Sequence, residues 1–299
     1  MRTGLMMRII ERYCRGERND QSLNEDGMLV TDDFAAVVDG VTSKSVRHLW
    51  RPSGGVVAKD LMIDIIGGMP ADASMRQMQR AVDARFQARY RSHEAGIRVF
   101  ADEPVERLQA NAVVYSARRH EAWLFGDCQI MVNGVQTPTT KDVDVLLGDL
   151  RAFTVLALRE MQDGTPDVPV SGSFGAPASD AAPKDPSRAM ILPFLRLQSQ
   201  FANKRGPFGY FVFDGFTDMT YPIRTVPVSP GDEVVQASDG YPLLRPTLDE
   251  SERELQRLRS EDPDLIDRYR STKGFQGRAT FDDLTYLRSS PERLRPSLA

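Results

Sequence analysis

Four times along this chain of 299 residues, an apolar stretch with the character of a strand ends on aspartate. The four are VVDG at Asp39, LFGD at Asp127, ASDG at Asp239 and FDDLT at Asp282 and Asp283. An acidic cluster, Asn24-Glu25-Asp26, stands just before the first of them. A carboxylate is not buried unpaired, so each of these strands must deliver its aspartate to a rim where it is solvated or neutralised. Strand–Asp–Gly is also common turn chemistry, and any one of these motifs alone reads as a turn. Asp214-Gly215 in FVFDGF is assigned to that reading. The order of the motifs carries more information than any single one.

The elements between the aspartates set the fold class. MLVT (28–31) and FAAVVDG (34–40), joined by Asp32-Asp33, read as a hairpin. Val57, Leu61 and Ile65 recur at helical spacing until Gly67-Gly68 stops the run. A second helix is expected from about Ser74 to His93, with the stripe Met75, Met78, Val82, Phe86 and Tyr90. Strands return at 111–117, 121–127 and 130–132, the last running into the tight-turn pair Asn133-Gly134. Helices are expected over 141–160 and near 187–203, then a strand at 209–216 and another at 233–240. Thr247 and Glu250 form a capping box that opens a charged helix to about Ser260, and a final strand covers 281–287. Hairpins without regular β-α-β alternation give an α+β class, mainly antiparallel, with helices layered on the sheets. The whole chain reads as one domain, and 162–188, rich in Pro, Gly, Ala, Ser and Asp, as a surface loop or flap inserted into it.

Composition removes several classes of function. The chain is 41% hydrophobic, enough for a sizeable core, and its net charge of −4 with no basic stripe argues against nucleic acid as a partner. No apolar run is long enough to span a bilayer, and Arg and Glu interrupt MRTGLMMRIIERY too early for a secretory segment, so no membrane partner and a cytoplasmic location are expected. Cys14 and Cys128 make no disulfide framework, and Cys128 has no neighbouring His or positive charge that would make it a nucleophile. Trp50 and Trp123 read as packing residues.

Oxygen-rich, sulfur-free clusters suit hard cations such as Mg²⁺, Mn²⁺ or Ca²⁺. His48, His93 and His120 lack zinc-site spacing, and neither a nucleophile elbow nor a P-loop is present. Ser22 to Asp33 mimics a calcium loop, but it starts on Ser, ends on Asp where Glu is expected, and runs into a strand.

The order N-E-D, V-V-D-G, helix pair, G-D, S-D-G and D-D-x-T, spread over about residues 8 to 288, resembles the protein phosphatase 2C family of metal-dependent Ser/Thr phosphatases, in a divergent bacterial form. The resemblance implies a four-layer α-β-β-α sandwich and two Mn²⁺ or Mg²⁺ ions, with a weaker third. It implies that Asp39 bridges the pair, that the carbonyl of Gly40 binds one ion, and that Asp239 and Asp282 hold the other. Glu25 would act on the first ion, often through water, and Asp127 would serve the third. Asp283 takes the Asn position of the family's D-N-x-T, and Asp282 is favoured over it as ligand. A hydroxide between the ions would attack the phosphoryl group of a phosphoprotein. The alternatives are a phosphorylated small molecule as substrate, or a non-catalytic relative that binds a partner. Two departures stand out. Gln21 occupies the place of the family's phosphate-binding Arg, for which Arg18, Lys44, Arg47 or Lys59 are the available substitutes. DGVTSKS (39–45) replaces D-G-x-G-G, so that Val41 stands where many members have a His. Oligomeric state is not legible.

Overall fold

Strand β3 (Phe34–Gly40) is buried on both faces, and this sets the layering. In the computed structural model, which describes residues 5–164 and 185–293, its alternate side chains enter two different cores. Phe34, Ala36 and Val38 pack with Met62, Ile66 and Phe86 of helices α1 (Gly54–Gly67) and α2 (Met75–Ser92). Ala35 and Val37 point the other way, to Ile130, Val234 and Leu287 of a second sheet.

The first sheet has the order β2-β3-β4-β5-β8, with β2 at Asp26–Val30, β4 at Ala110–Ser116, β5 at Glu121–Phe125 and β8 at Arg224–Pro227. The second runs β1-β10-β9-β6-β7, formed by Leu5–Arg15, Leu284–Arg293, Val234–Ala237, Gln129–Val132 and Val135–Thr137 respectively. Every pairing is antiparallel. Helix α6 (Leu248–Glu261) covers the outer face of the second sheet through Leu255 and Leu258, which join Tyr286 and Phe281 in a third core. The class is therefore α+β, with helix, sheet, sheet and helix in successive layers. Gln236, fully buried on β9, ties the two sheets by donating from Nε2 to the carbonyls of Ala35 and Val113 at 3.1 and 3.0 Å. Helix α3 (Gly96–Asp102) follows α2, and α4 (Asp142–Gly164) packs with α5 (Pro186–Leu197) over a fourth core.

Most expected elements are present. The 28–40 hairpin, both early helices and the capping box at Thr247/Glu250 lie where the sequence puts them, and the structure adds a second capping box, Ser74 with Gln77. Trp50 and Trp123 are buried in the first core. Strands β1 and β8 and helix α3 have no counterpart among the expected elements. The expected insertion at 162–188 falls mainly on 165–184, outside the described residues; its ends belong to α4 and α5.

One element is corrected. GYFVFDGF (209–216) is no strand of either sheet and makes only isolated bridges, Phe213 to Ala110 and Tyr210 to Ala202. The outer edge of β5 is taken by β8. The segment is held instead by aromatic packing of Phe211 and Phe213 on Phe125 and by a buried ion pair. Asp214, fully buried, accepts from Arg107 Nη1 at 2.9 Å and, as an Asx turn, from the Phe216 amide at 2.8 Å. Replacing Arg107 by Met should therefore strand a buried carboxylate and cost about 3–5 kcal/mol in chemical denaturation. A loss below about 1 kcal/mol would show that the pair does not hold this segment.

Candidate metal centre

Antiparallel register builds the first part of the site. Asp39, two residues beyond Val37 on the inter-sheet face, lies directly opposite Asp26 on β2 and opposite Asn111 on β4. Gly126, after β5, continues this row: a Cβ there would lie 2.1 Å from Asn111 Oδ1, and its φ of +93° suits glycine. The polypeptide then turns to present Asp127. From the second sheet, Asp239 follows β9 and Asp282 precedes β10. Asp39, Asp127, Asp239 and Asp282 all line one cleft of about 740 Å³ at the end of the two sheets.

The two aspartates of FDDLT are sorted by their bonds. Asp283 is buried and accepts from the amides of Glu17 (2.7 Å) and Glu25 (2.6 Å), one per oxygen, so it splints two loops. Asp282 faces the cleft, where Lys273 Nζ lies 2.6 Å from its Oδ1. Glu25 is not in the cleft with the other four. It lines an adjoining pocket that also touches Asp282, and its Oε1 accepts from Ser53 Oγ at 2.5 Å. Ser53 is the N-cap of α1, so Glu25 supports the positive end of that helix. Gly40 donates its amide to the Glu25 carbonyl at 2.8 Å. A Cβ on Gly40 would lie 2.1 Å from the Gly55 carbonyl, so a Gly-Gly pair does adjoin Asp39-Gly40 in space, displaced along the chain by the loop 41–53.

The electrostatics are those of crowded like charges. Burial raises the pKa of Asp39 well above the carboxylate range, and Asp26, Asp127 and Asp282 raise it further. Asp239 is raised by burial and then by Asp39, Asp127 and Asp282. Asp26 is raised chiefly by burial, eased by a hydrogen bond from Ser238 and worsened by Asp283, Asp282 and Asp239. Two lysines offset part of this charge. Lys141 Nζ stands 2.6 Å from Asp127, and Lys273 holds Asp282. Against burial, which lowers it, each lysine is held above its ordinary pKa by the acids beside it, Lys141 by Asp127 and Asp144, Lys273 by Asp282 and Glu17. Cys128 is fully buried and its thiol is pushed well up by burial and by Asp39, which leaves it no nucleophilic character.

These residues fit a hard divalent cation. The donors are oxygens, and Asp26 Oδ2, Asp127 Oδ1 and Asn111 Oδ1 are buried with no hydrogen-bond partner. Among the described residues, no three acidic, cysteine or histidine side chains already stand in ligand geometry for one ion. The lysines occupy two of the carboxylates instead. Asp26 was legible as part of N-E-D, but only the strand register turns it toward Asp39. Nothing in the spacing of Lys141, Lys273, Asn111 or Arg188, all of which line the cleft, announced them.

No family model and no curated protein matches the chain. Solved structures that resemble it include Ser/Thr phosphatases. PppA of Pseudomonas aeruginosa, described as a key regulatory component of T6SS, is 15% identical with a TM-score of 0.46, over 96% of this chain and 99% of that one. The catalytic domain of the phosphatase PstP in complex with two manganese ions is 16% identical at 0.45, over 96% and 99%. Stp1 of Staphylococcus aureus is 12% identical at 0.46, over 97% of each. Among the described residues no helix is long and apolar enough to cross a membrane.

The crowding has a measurable sign. Because these carboxyls bind protons more tightly folded than unfolded, the stability linked to them is full at low pH and is lost as pH rises through their raised pKa values. Asp39→Asn should thus stabilise the protein in chelator at pH 8, by about 1 kcal/mol, with a smaller gain at pH 5. Thermal melts at both pH values test this; a destabilised variant with no pH dependence would contradict the crowding.

Proposed function

We propose that this chain is a divergent member of the PPM, or protein phosphatase 2C, family and acts as a divalent-cation-dependent phosphomonoesterase on phosphoserine or phosphothreonine in proteins. The observation that carries this reading is the convergence of Asp39, Asp127, Asp239 and Asp282, from the ends of strands in both sheets, on one cleft. Among the described residues, the side chains of Asp39 and Asp239 have neither a hydrogen-bond donor nor a lysine or arginine in contact, while their neighbours add negative charge. That combination calls for cations from outside the chain.

In this reading Asp39, Asp239 and Asp282 would hold two Mn²⁺ or Mg²⁺ ions together with the Gly40 carbonyl, and Asp127 would serve a weaker third. Glu25 would assist from its place at the start of α1. When bound, such ions supply a water nucleophile at neutral pH and neutralise the phosphoryl oxygens. The chain's own part is to fix the carboxylates. Asp283 clamps the Glu17 and Glu25 amides, and the β2–β3–β4 register presents Asp26, Asp39 and Asn111 as one row.

A non-catalytic, partner-binding relative is the second reading, favoured by the lysines that already neutralise Asp127 and Asp282. A Mn²⁺ titration with p-nitrophenyl phosphate and a phosphothreonine peptide separates the two. The phosphatase reading expects Mn²⁺-dependent phosphate release, reduced by more than about a hundredfold in Asp239→Asn, with the peptide preferred. Preference for small esters would move the substrate to a phosphorylated metabolite. Metal binding without turnover would favour the partner-binding relative, and the absence of both would overturn the metal centre.

A further inference from the structure

Four cations were available to take the place of the Arg missing at position 21, and the structure separates them. Gln21 itself is tied into its own loop, accepting from the Gly16 amide at 2.8 Å and donating to the Arg18 carbonyl at 2.6 Å. Arg18 is paired with Glu17, Arg47 with Glu103, and Lys59 with Asp60. Among the described residues Lys44 has no acid within ion-pair distance, and it lines the carboxylate cleft. Arg188, on α5, lines the same cleft and likewise has no carboxylate partner for its guanidinium. Its Nη1 donates to the Thr272 carbonyl at 2.6 Å and to Thr272 Oγ1 at 3.2 Å, which leaves the rest of the fork free.

On the phosphatase reading above, we infer that Lys44 and Arg188 form the anion-recognition pair that seats the phosphoryl dianion of the substrate beside the carboxylates, and that Glu106 positions Lys44 for this role.

The loop 41–53 that carries Lys44 is built to hold one conformation. Glu106 is buried beneath it; its carboxylate accepts from Ser45 Oγ and from the amides of Val46 (3.0 Å) and Arg47 (3.4 Å), and its carbonyl accepts from Trp50 Nε1 at 3.1 Å. On the other side of the loop, Arg196 Nε donates to the Lys44 carbonyl at 3.3 Å. The side chain thus leaves a backbone fixed on both sides. Burial, and then Arg188, lower the Lys44 pKa to about 8; Asp144 opposes this, and Lys273 and Lys141 lower it further. Bringing cations together at half-buried positions is unfavourable unless an anion completes the site. A phosphoryl dianion suits the pair, because the ammonium supplies a compact charge and the guanidinium a planar set of donors.

The test titrates inorganic phosphate into the full chain by calorimetry, with Mg²⁺ and with chelator, alongside separate Mn²⁺ titrations. Lys44→Met should weaken phosphate by about tenfold or more, Lys44→Arg should stay within about threefold of wild type, and both should bind Mn²⁺ as wild type does. Lys204→Met, on an exposed loop, is the charge-matched control and should change nothing. Glu106→Gln should raise KM for p-nitrophenyl phosphate with kcat held. Phosphate binding that is unaltered in Lys44→Met, that is absent from the wild type, or that is lost together with Mn²⁺ binding would overturn the inference. Lys44-dependent phosphate binding without any metal-dependent turnover would support the anion site while refuting the phosphatase reading.

Discussion

Carboxylates that repel one another at the mouth of two stacked sheets are the condition around which the rest of this molecule is arranged. Asp26 and Asp39 face each other across a strand pair, with Asp127, Asp239 and Asp282 adding to their field. A fold that only needed stability would place Asn or Ser at some of these positions. Retaining all five lowers the stability of the cation-free chain, and what holds them is the rigidity of the sandwich behind. Gln236 pins the two sheets to each other, Asp283 ties the 17–25 loop to the last strand, and Gly40 abuts Gly55 so closely that helix α1 starts directly against the end of β3.

Cations of the chain itself answer part of this charge. Lys141 and Lys273 are covalently part of the chain, and each already holds a carboxylate. Among the described residues Asp39 and Asp239 have no such partner, and burial and the neighbouring acids raise both pKa values; on the proposed reading an external cation gains most there. Lys44 and Arg188 carry positive charge to the same cleft with, among the described residues, no acid in ion-pair contact. The cleft is thus lined both by carboxylates and by these cations, which on the proposed reading suits an anion bound through metal ions.

The sequence conveyed these features unevenly. Local chemistry is legible: Asp32-Asp33 in the first hairpin and Thr247 with Glu250 each act within a few residues, and the structure has them as read. The segment 209–216 has apolar, aromatic residues of strand character, yet it joins neither sheet and makes only isolated bridges to Ala110 and Ala202, because strand pairing is decided by tertiary contacts that its own residues do not encode. Strand β1 was passed over because Arg and Glu break up its apolar residues, and it takes its form from pairing with β10, nearly the whole chain away. The aspartates could be found because each closes a strand. The lysines and Arg188 could not, because they lie on loops and helices that only the tertiary fold brings to the cleft. The loop 41–53 acts in the same way, separating in sequence Gly40 and Gly55, which touch in space.

The central claim is that the carboxylate cluster is a binuclear cation site. It is met most directly by a crystal structure of the full chain grown with Mn²⁺, with anomalous differences measured at the manganese edge. The account predicts two peaks within ligand distance of Asp39, the second shared with Asp239 and Asp282, and Lys273 drawn away from Asp282. A map without peaks in the cleft, with Lys273 still on Asp282, would contradict it.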